Sequence, residues 1–171
     1  MVNLSHALTI PDHRWPTEPE LRWLAERASE HKTVVEVGCY CGRSTVAMAE
    51  NTKGNVFVVD DFYGPRDIDM PDEDRAQILN DFLANTAHLR NVGIFVRDHA
   101  QPPAIEADMI FIDGAHDYES VFRDIHYWRS QLRDGGLLCG HDANWTDVQQ
   151  AVNKEFGEVR IIEGTNIWMA R

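Results

Sequence analysis

Five short apolar runs punctuate the chain at residues 34–37, 55–59, 92–96, 108–112 and 137–140, and each finishes on or beside polar residues. Runs of this length, rich in Val and Ile and bounded by glycine or acid, read as strands buried on both faces. Stretches with apolar residues at helical spacing lie between most of them. Strands alternating with helices call for a parallel sheet with right-handed crossovers, and such sheets gather ligands beyond the carboxyl ends of their strands. The polar residues fall at those ends: Glu36 and Gly38, Asp60 and Asp61, Asp98 and His99, Asp113 and His116, then His141 and Asp142. A lone Asp in such a place is usually a turn residue or a helix cap. Five groups in succession point to a ligand-binding edge.

The stretch TVVEVGCYCGRSTVAMA, residues 33–49, reads as a strand, a glycine loop and a helix that Ser44 opens. Gly38 and Gly42 let the backbone turn sharply and approach a ligand, while the free amides of the helix's first turn face whatever sits there. A polar cofactor and an ordinary tight turn both fit this pattern. Glu36 is the odd residue, because a carboxylate in a buried strand is costly unless it is paired or binds a ligand with donors.

Elsewhere the spacing predicts helices over about 18–30, 72–89, 118–132 and 146–157. The first opens on a capping box, Thr17 with Glu20, and the last on a second one, Thr146 with Gln149. Gly135 and Gly136 are expected to stop the third. Residues 159–162 and 166–169 are strand-like and close enough to form a hairpin. Residues 1–16 lack a period and read as an irregular arm or lid, leaving 17–171 as a single domain. Trp23, Phe82 and Trp128 sit at helical spacing and belong to the core, whereas Trp15 and Trp145 lie in irregular stretches where either could stack on a substrate.

Composition bounds the partners. A formal net charge of -12 without a basic cluster disfavours nucleic acid and favours a small neutral or cationic ligand. No apolar run approaches the roughly 20 residues that span a bilayer and no signal-peptide pattern opens the chain, so a cytoplasmic protein without membrane contact is expected. Cys39, Cys41 and Cys139 are odd in number and lie in or beside buried strands, which favours reduced thiols.

The chain resembles the class I S-adenosylmethionine-dependent methyltransferases, and within them the small-molecule O-methyltransferase group of macrolide-sugar O-methyltransferases and cephalosporin-hydroxylase-like proteins. The likeness runs over about 33–142, and its most specific part is IDGAHDYESVFRDIHYWRSQLRDGGLLCGHD, residues 112–142. The resemblance implies an α/β, Rossmann-like, doubly wound and mostly parallel seven-stranded sheet with an antiparallel last strand. It implies that Glu36, Gly38 and Gly42, with Ser44 close by, surround the methionine part of S-adenosylmethionine. Asp60 would take the ribose hydroxyls, Asp98 and His99 would flank the adenine, and Asp113 would join the cofactor site. Asp61 and Tyr63 are either further contacts or plain loop residues.

Methyl transfer to a hydroxyl requires an in-line nucleophile relieved of its proton. Metal-dependent members of the resembled group use a divalent cation held after the fourth and fifth strands, which implies Asp113, His141 and Asp142 as ligands here. The histidine, where the group usually has an acid, makes the set less suited to Mg2+ and more tolerant of Mn2+, iron or zinc. Without a metal, His116 is the candidate general base, its other role being to cap the helix that begins near Tyr118. Two further readings stand beside O-methylation of a small sugar or phenol. One is a non-catalytic cofactor- or nucleotide-binding subunit. The other, a nicotinamide-dependent dehydrogenase, fits poorly, because the glycine turn is not G-x-G-x-x-G and no Tyr-x-x-x-Lys pair occurs. The short chain leaves little room for a substrate cap, so the site is expected to be open or closed by a second copy in a homo-oligomer.

Overall fold

The computed structural model describes residues 1–11, 16–66, 69–97 and 103–170. Seven strands form one sheet: β1 (Thr33–Val37), β2 (Asn55–Asp60), β3 (Val92–Val96), β4 (Ala107–Ile112), β5 (Leu132–Gly140), β6 (Arg160–Ile161) and β7 (Trp168–Met169). Their order is β3-β2-β1-β4-β5-β7-β6. The first five are parallel and β7 runs antiparallel to both of its neighbours, as expected for the hairpin. The helices are α1 (Glu18–Ala28), α2 (Arg43–Ala49), α3 (Asp72–Thr86), α4 (Tyr118–Arg129) and α5 (Thr146–Phe156).

Strand alternation sends side chains to two cores. Val34, Val58, Met109 and Phe111 pack with Leu24, Met48, Ile78 and Phe82 of α1, α2 and α3. Val35, Val37, Ile110 and Ile112 pack on the opposite face with Val121, Ile125, Trp128, Ala151 and Val152 of α4 and α5. Trp128 and Phe82 are fully buried, and Trp23 is a partly buried neighbour of the first core. The described part of the arm carries a short 3-10 helix, Ala7–Thr9, and its Leu4, Ala7 and Ile10 pack on Leu21, Ala25, Val46 and Ala47. Trp15 lies outside the described residues.

Two expectations need correction. The helix expected over 118–132, α4, does not run to Leu132 and the glycine pair does not stop it. It ends at Arg129, where Ser130 and Gln131 donate to Tyr127 and Trp128 in a tightened last turn, and Leu132 already pairs with Ala107 in the sheet. Gly135 and Gly136 lie inside β5, in a bulge of three extra residues between the Ala107–Leu132 and Met109–Leu137 pairs. Positive φ at Gly135 is what such a bulge asks for. The second capping box is also absent. Trp145 is the cap residue of α5 without a side-chain bond, and the Gln149 amide donates to the Ala143 carbonyl at 2.7 Å instead of turning back to the helix start.

Candidate active site

The strand order reverses between β1 and β4, and the loops that leave these two strands abut. Asp113 donates its backbone N–H to the Val37 carbonyl at 2.7 Å, and a Cβ on Gly38 would lie 2.2 Å from the Asp113 carbonyl oxygen. Gly38 has φ 82°, so both space and backbone demand glycine there. Among the described residues, the non-glycine positions with positive φ are Tyr40, Phe62 and Asp142, all in the loops beyond β1, β2 and β5. Strain of this kind collects where a loop must aim a side chain.

Glu36 answers its own burial cost. Its Oε1 accepts the Ser44 hydroxyl and its Oε2 the Thr45 hydroxyl, both from the first turn of α2. Burial raises its carboxyl to about 8, against the pull of these two bonds, and the neighbouring Asp113 and Asp60 carboxylates add to the rise. Ser44, expected close to the methionine part of the cofactor, spends its hydroxyl on Glu36.

Asp60, at the end of β2, ties two loops together. Its Oδ2 accepts the Cys39 and Tyr40 amides at 2.6 and 3.1 Å, and its Oδ1 accepts the Phe62 amide at 2.6 Å. The Cys39 thiol is a further neighbour of this carboxylate. Asp61 accepts the Tyr63 amide at 2.8 Å and pairs with Arg66 at 2.5 Å, while the Arg66 and Arg75 guanidinium groups lie over the Tyr63 ring. Asp61 and Tyr63 are thus built into one loop. Asp98 and His99 lie outside the described residues.

Across the switch point, Asp113, His116 and Asp142 each bring one ligand atom into a group spanning no more than 4.8 Å. His116 Nε2 lies 2.9 Å from Asp142 Oδ2, and its ring stacks on Trp145 with centroids 4.7 Å apart. His116 is not the helix cap, a role that Asp117 fills by accepting the Ser120 amide at 3.0 Å. His141 stands behind the group. Its Nδ1 is 3.2 Å from Asp142 and 3.5 Å from Asp113, and its Nε2 is 3.1 Å from Glu20 Oε1 of α1. Burial alone would lower its pKa, but the Asp113, Asp142 and Glu20 carboxylates together raise it to about 11, so it is a buried imidazolium at neutral pH. Against the cost of burial, the bond from His116 and then the bond and charge of His141 hold Asp142 well below the usual carboxylate range. Asp113 moves the other way, up to about 6, because burial and the Asp142 charge outweigh His141 and His116.

Sequence reasoning missed Glu20 and Thr45 as parts of this edge. Glu20 was legible only as a capping-box residue, and it does accept the Thr17 amide at 2.7 Å. Its other oxygen accepts the Asn166 amide at 2.8 Å and faces His141, partners too distant in the chain for any local pattern to reveal. These contacts and His141 outweigh burial and bring its carboxyl down to about 2. The three cysteines are buried and free, and burial raises each thiol.

Residues 35–143 match the model of a family described as a methyltransferase domain. Among curated proteins, the uncharacterized protein R132 of Acanthamoeba polyphaga mimivirus is 26% identical over 138 residues, 75% of this chain. The chain spans 61% of the length of that relative. Among solved structures, an S-adenosylmethionine-dependent O-methyltransferase of Thermotoga maritima superposes with a TM-score of 0.69 at 15% identity, covering 98% of this chain and 70% of its own. The TDP-rhamnose 3'-O-methyltransferase CalS11 of calicheamicin biosynthesis gives a TM-score of 0.62 at 16% identity, with 98% and 91% covered. At such identities the likeness is one of fold.

Proposed function

The chain belongs to the methyltransferase-domain family, and from that premise we propose that it moves the methyl group of S-adenosylmethionine to a hydroxyl oxygen of a small sugar or phenol. The donor set suits this cofactor. Glu36, Asp60 and Asp113 converge closely enough that the two aspartates raise the glutamate's pKa, and a ligand carrying a sulfonium and an ammonium would relieve that crowding. Asp60 holds the glycine turn through the Cys39 and Tyr40 amides and stands at the end of the second strand, where a carboxylate can accept from ribose hydroxyls.

When bound, S-adenosylmethionine supplies a methyl already made electrophilic by its sulfonium. What remains for the protein is to align the acceptor and take its proton. The observation that carries this step is the pairing of His116 with Asp142 at 2.9 Å beside Asp113. His116 accepts the hydroxyl proton, and Asp142 steadies the imidazolium that forms. Trp145, stacked on the His116 ring, limits the directions from which an acceptor can approach.

A second reading rests on the same three side chains, because Asp113, His116 and Asp142 also form a ligand set for Mn2+ or Mg2+ that would polarise the acceptor hydroxyl. His141, implied as a ligand by the resemblance, borders this set through Nδ1, 3.2 Å from Asp142 and 3.5 Å from Asp113, and would ligate the ion on giving up its ring proton.

The test begins with calorimetric titration of S-adenosylmethionine into the purified chain. Absence of binding would sink the assignment and leave the non-catalytic reading in place. Formation of S-adenosylhomocysteine is then followed with a panel of sugars and phenols. His116→Gln is expected to lower kcat by about 100- to 10,000-fold. Loss that excess Mn2+ repairs, in an enzyme that chelators silence, would assign His116 to the metal. Loss indifferent to metal would assign it to the proton.

A further inference from the structure

A second cluster of ligating side chains lies away from this site, at the far end of α2. Glu50 caps that helix, His6 reaches it from the N-terminal arm, and His88 reaches it from the turn after α3. One atom from each falls within a group spanning no more than 4.8 Å. His6 Nδ1 and His88 Nε2 both converge on the same oxygen, Glu50 Oε1, the second at 3.1 Å, and the two rings lie 4.4 Å apart.

Two histidines and a carboxylate brought together in this way leave polar valences unmet. The Glu50 side chain is only 7% exposed, and its Oε2 is buried without a hydrogen-bond partner. A buried carboxylate oxygen in that condition is costly. The two rings meet at a 50° tilt with one nitrogen of each turned on the same oxygen, so neither ring has that oxygen to itself. A cation seated among the three groups satisfies both nitrogens and the carboxylate at once.

We propose that His6, Glu50 and His88 form a binding site for a divalent transition-metal ion, and that zinc in this site fastens the N-terminal arm to the body of the protein. Two imidazoles and one carboxylate suit zinc, which takes four ligands, so the fourth position is open to water. The arm already lies along α2, with Asn3 and Asn51 exchanging bonds at one end and Arg43 donating to the Pro16 carbonyl at 2.6 Å at the other. Zinc adds a clamp between them. The ion thereby reaches, through the arm, the end of α2 that starts at the glycine turn.

The test uses the untagged full chain stripped of metal by a chelator. Zinc is titrated in competition with a chromophoric chelator, for the wild type, for His6→Gln with His88→Gln, and for His116→Gln with Asp142→Asn. The His6/His88 variant alters exposed or half-exposed rings and leaves the core intact. It is expected to lose one zinc equivalent or to bind it at least 100-fold more weakly, while the His116/Asp142 variant keeps that equivalent. Hydrogen exchange supplies an independent readout. Zinc is expected to slow exchange of the Leu8 and Thr9 amides at least tenfold in the wild type and to leave it unchanged in the His6/His88 variant. Equal zinc affinity and stoichiometry in the wild type and the His6/His88 variant would overturn the site, and amide exchange indifferent to zinc in the wild type would overturn the clamp.

Discussion

Glu36 shows how a single side chain can set a pH dependence for the whole fold. Its carboxyl is raised to about 8 by burial, whereas in the unfolded chain it would ionise near 4.5. Between those values the native state holds a proton that the unfolded state has lost, so stability falls as pH rises, by up to about 1.4 kcal/mol per pH unit. Glu36→Gln keeps the size and an acceptor for Ser44 or Thr45 but removes the titration. Urea melts at intervals from pH 4.5 to 8 are expected to give a shallower decline for the variant, and parallel curves would show that Glu36 is not the source. The cost of placing an acid in this strand was visible from the sequence, whereas Ser44 was expected beside the cofactor and instead bonds Glu36. That Thr45 would share the work was not visible, because it depends on the helix phase fixed by Gly42 at φ 85°.

At the level of elements, the turn between β1 and α2 is held by close approach rather than by side-chain packing. Gly38→Ala places a methyl against the Asp113 carbonyl and imposes positive φ on an L-residue, which alone costs on the order of 1–2 kcal/mol. The overlap at 2.2 Å adds to this, so thermal unfolding is expected at a markedly lower temperature, with cofactor binding lost at the same time. A variant that melts like the wild type would contradict the contact. This turn was legible because its glycines and flanking apolar runs are local signals. The boundary between α4 and β5 was not, since Leu132 continues the helical spacing of Val121, Ile125 and Trp128 while its actual place is set by Ala107 in the sheet. Tertiary pairing overrode periodicity there. The strand-end acids were legible as a group, but their division into loop ties such as Asp60 and ion partners such as Asp142 depends on which amides and rings the fold delivers to them.

For the molecule as a whole, the Glu20–His141 contact joins the first helix to the fifth strand beneath the proposed catalytic group. Histidine raised to about 11 contributes stability that is complete below about 6.5 and is lost as pH rises through 11. Glutamate lowered to about 2 contributes stability that is complete above about 4.5 and is lost as pH falls through 2. Both contributions are therefore full only between about 4.5 and 6.5. His141→Asn is expected to be less stable than the wild type throughout that window, because three carboxylates lose their compensating charge, and to show a flatter decline on the alkaline side. An unchanged alkaline limb in denaturant melts would remove His141 as its cause.

The same contact bears on the order in which the protein is made. Glu20 is completed by the Asn166 amide, and Trp168 seats its ring over Gly140, where a Cβ would come within 2.3 Å of it. β7 also fills the place between β5 and β6. A growing chain therefore has every residue of the glycine turn and of the Asp113, His116 and Asp142 group long before it has the strand that locks their supports. Until residues 166–169 have emerged from the ribosome, Glu20 lacks its Asn166 partner and Gly140 its Trp168 cover, so the site residues precede part of the scaffold that fixes them.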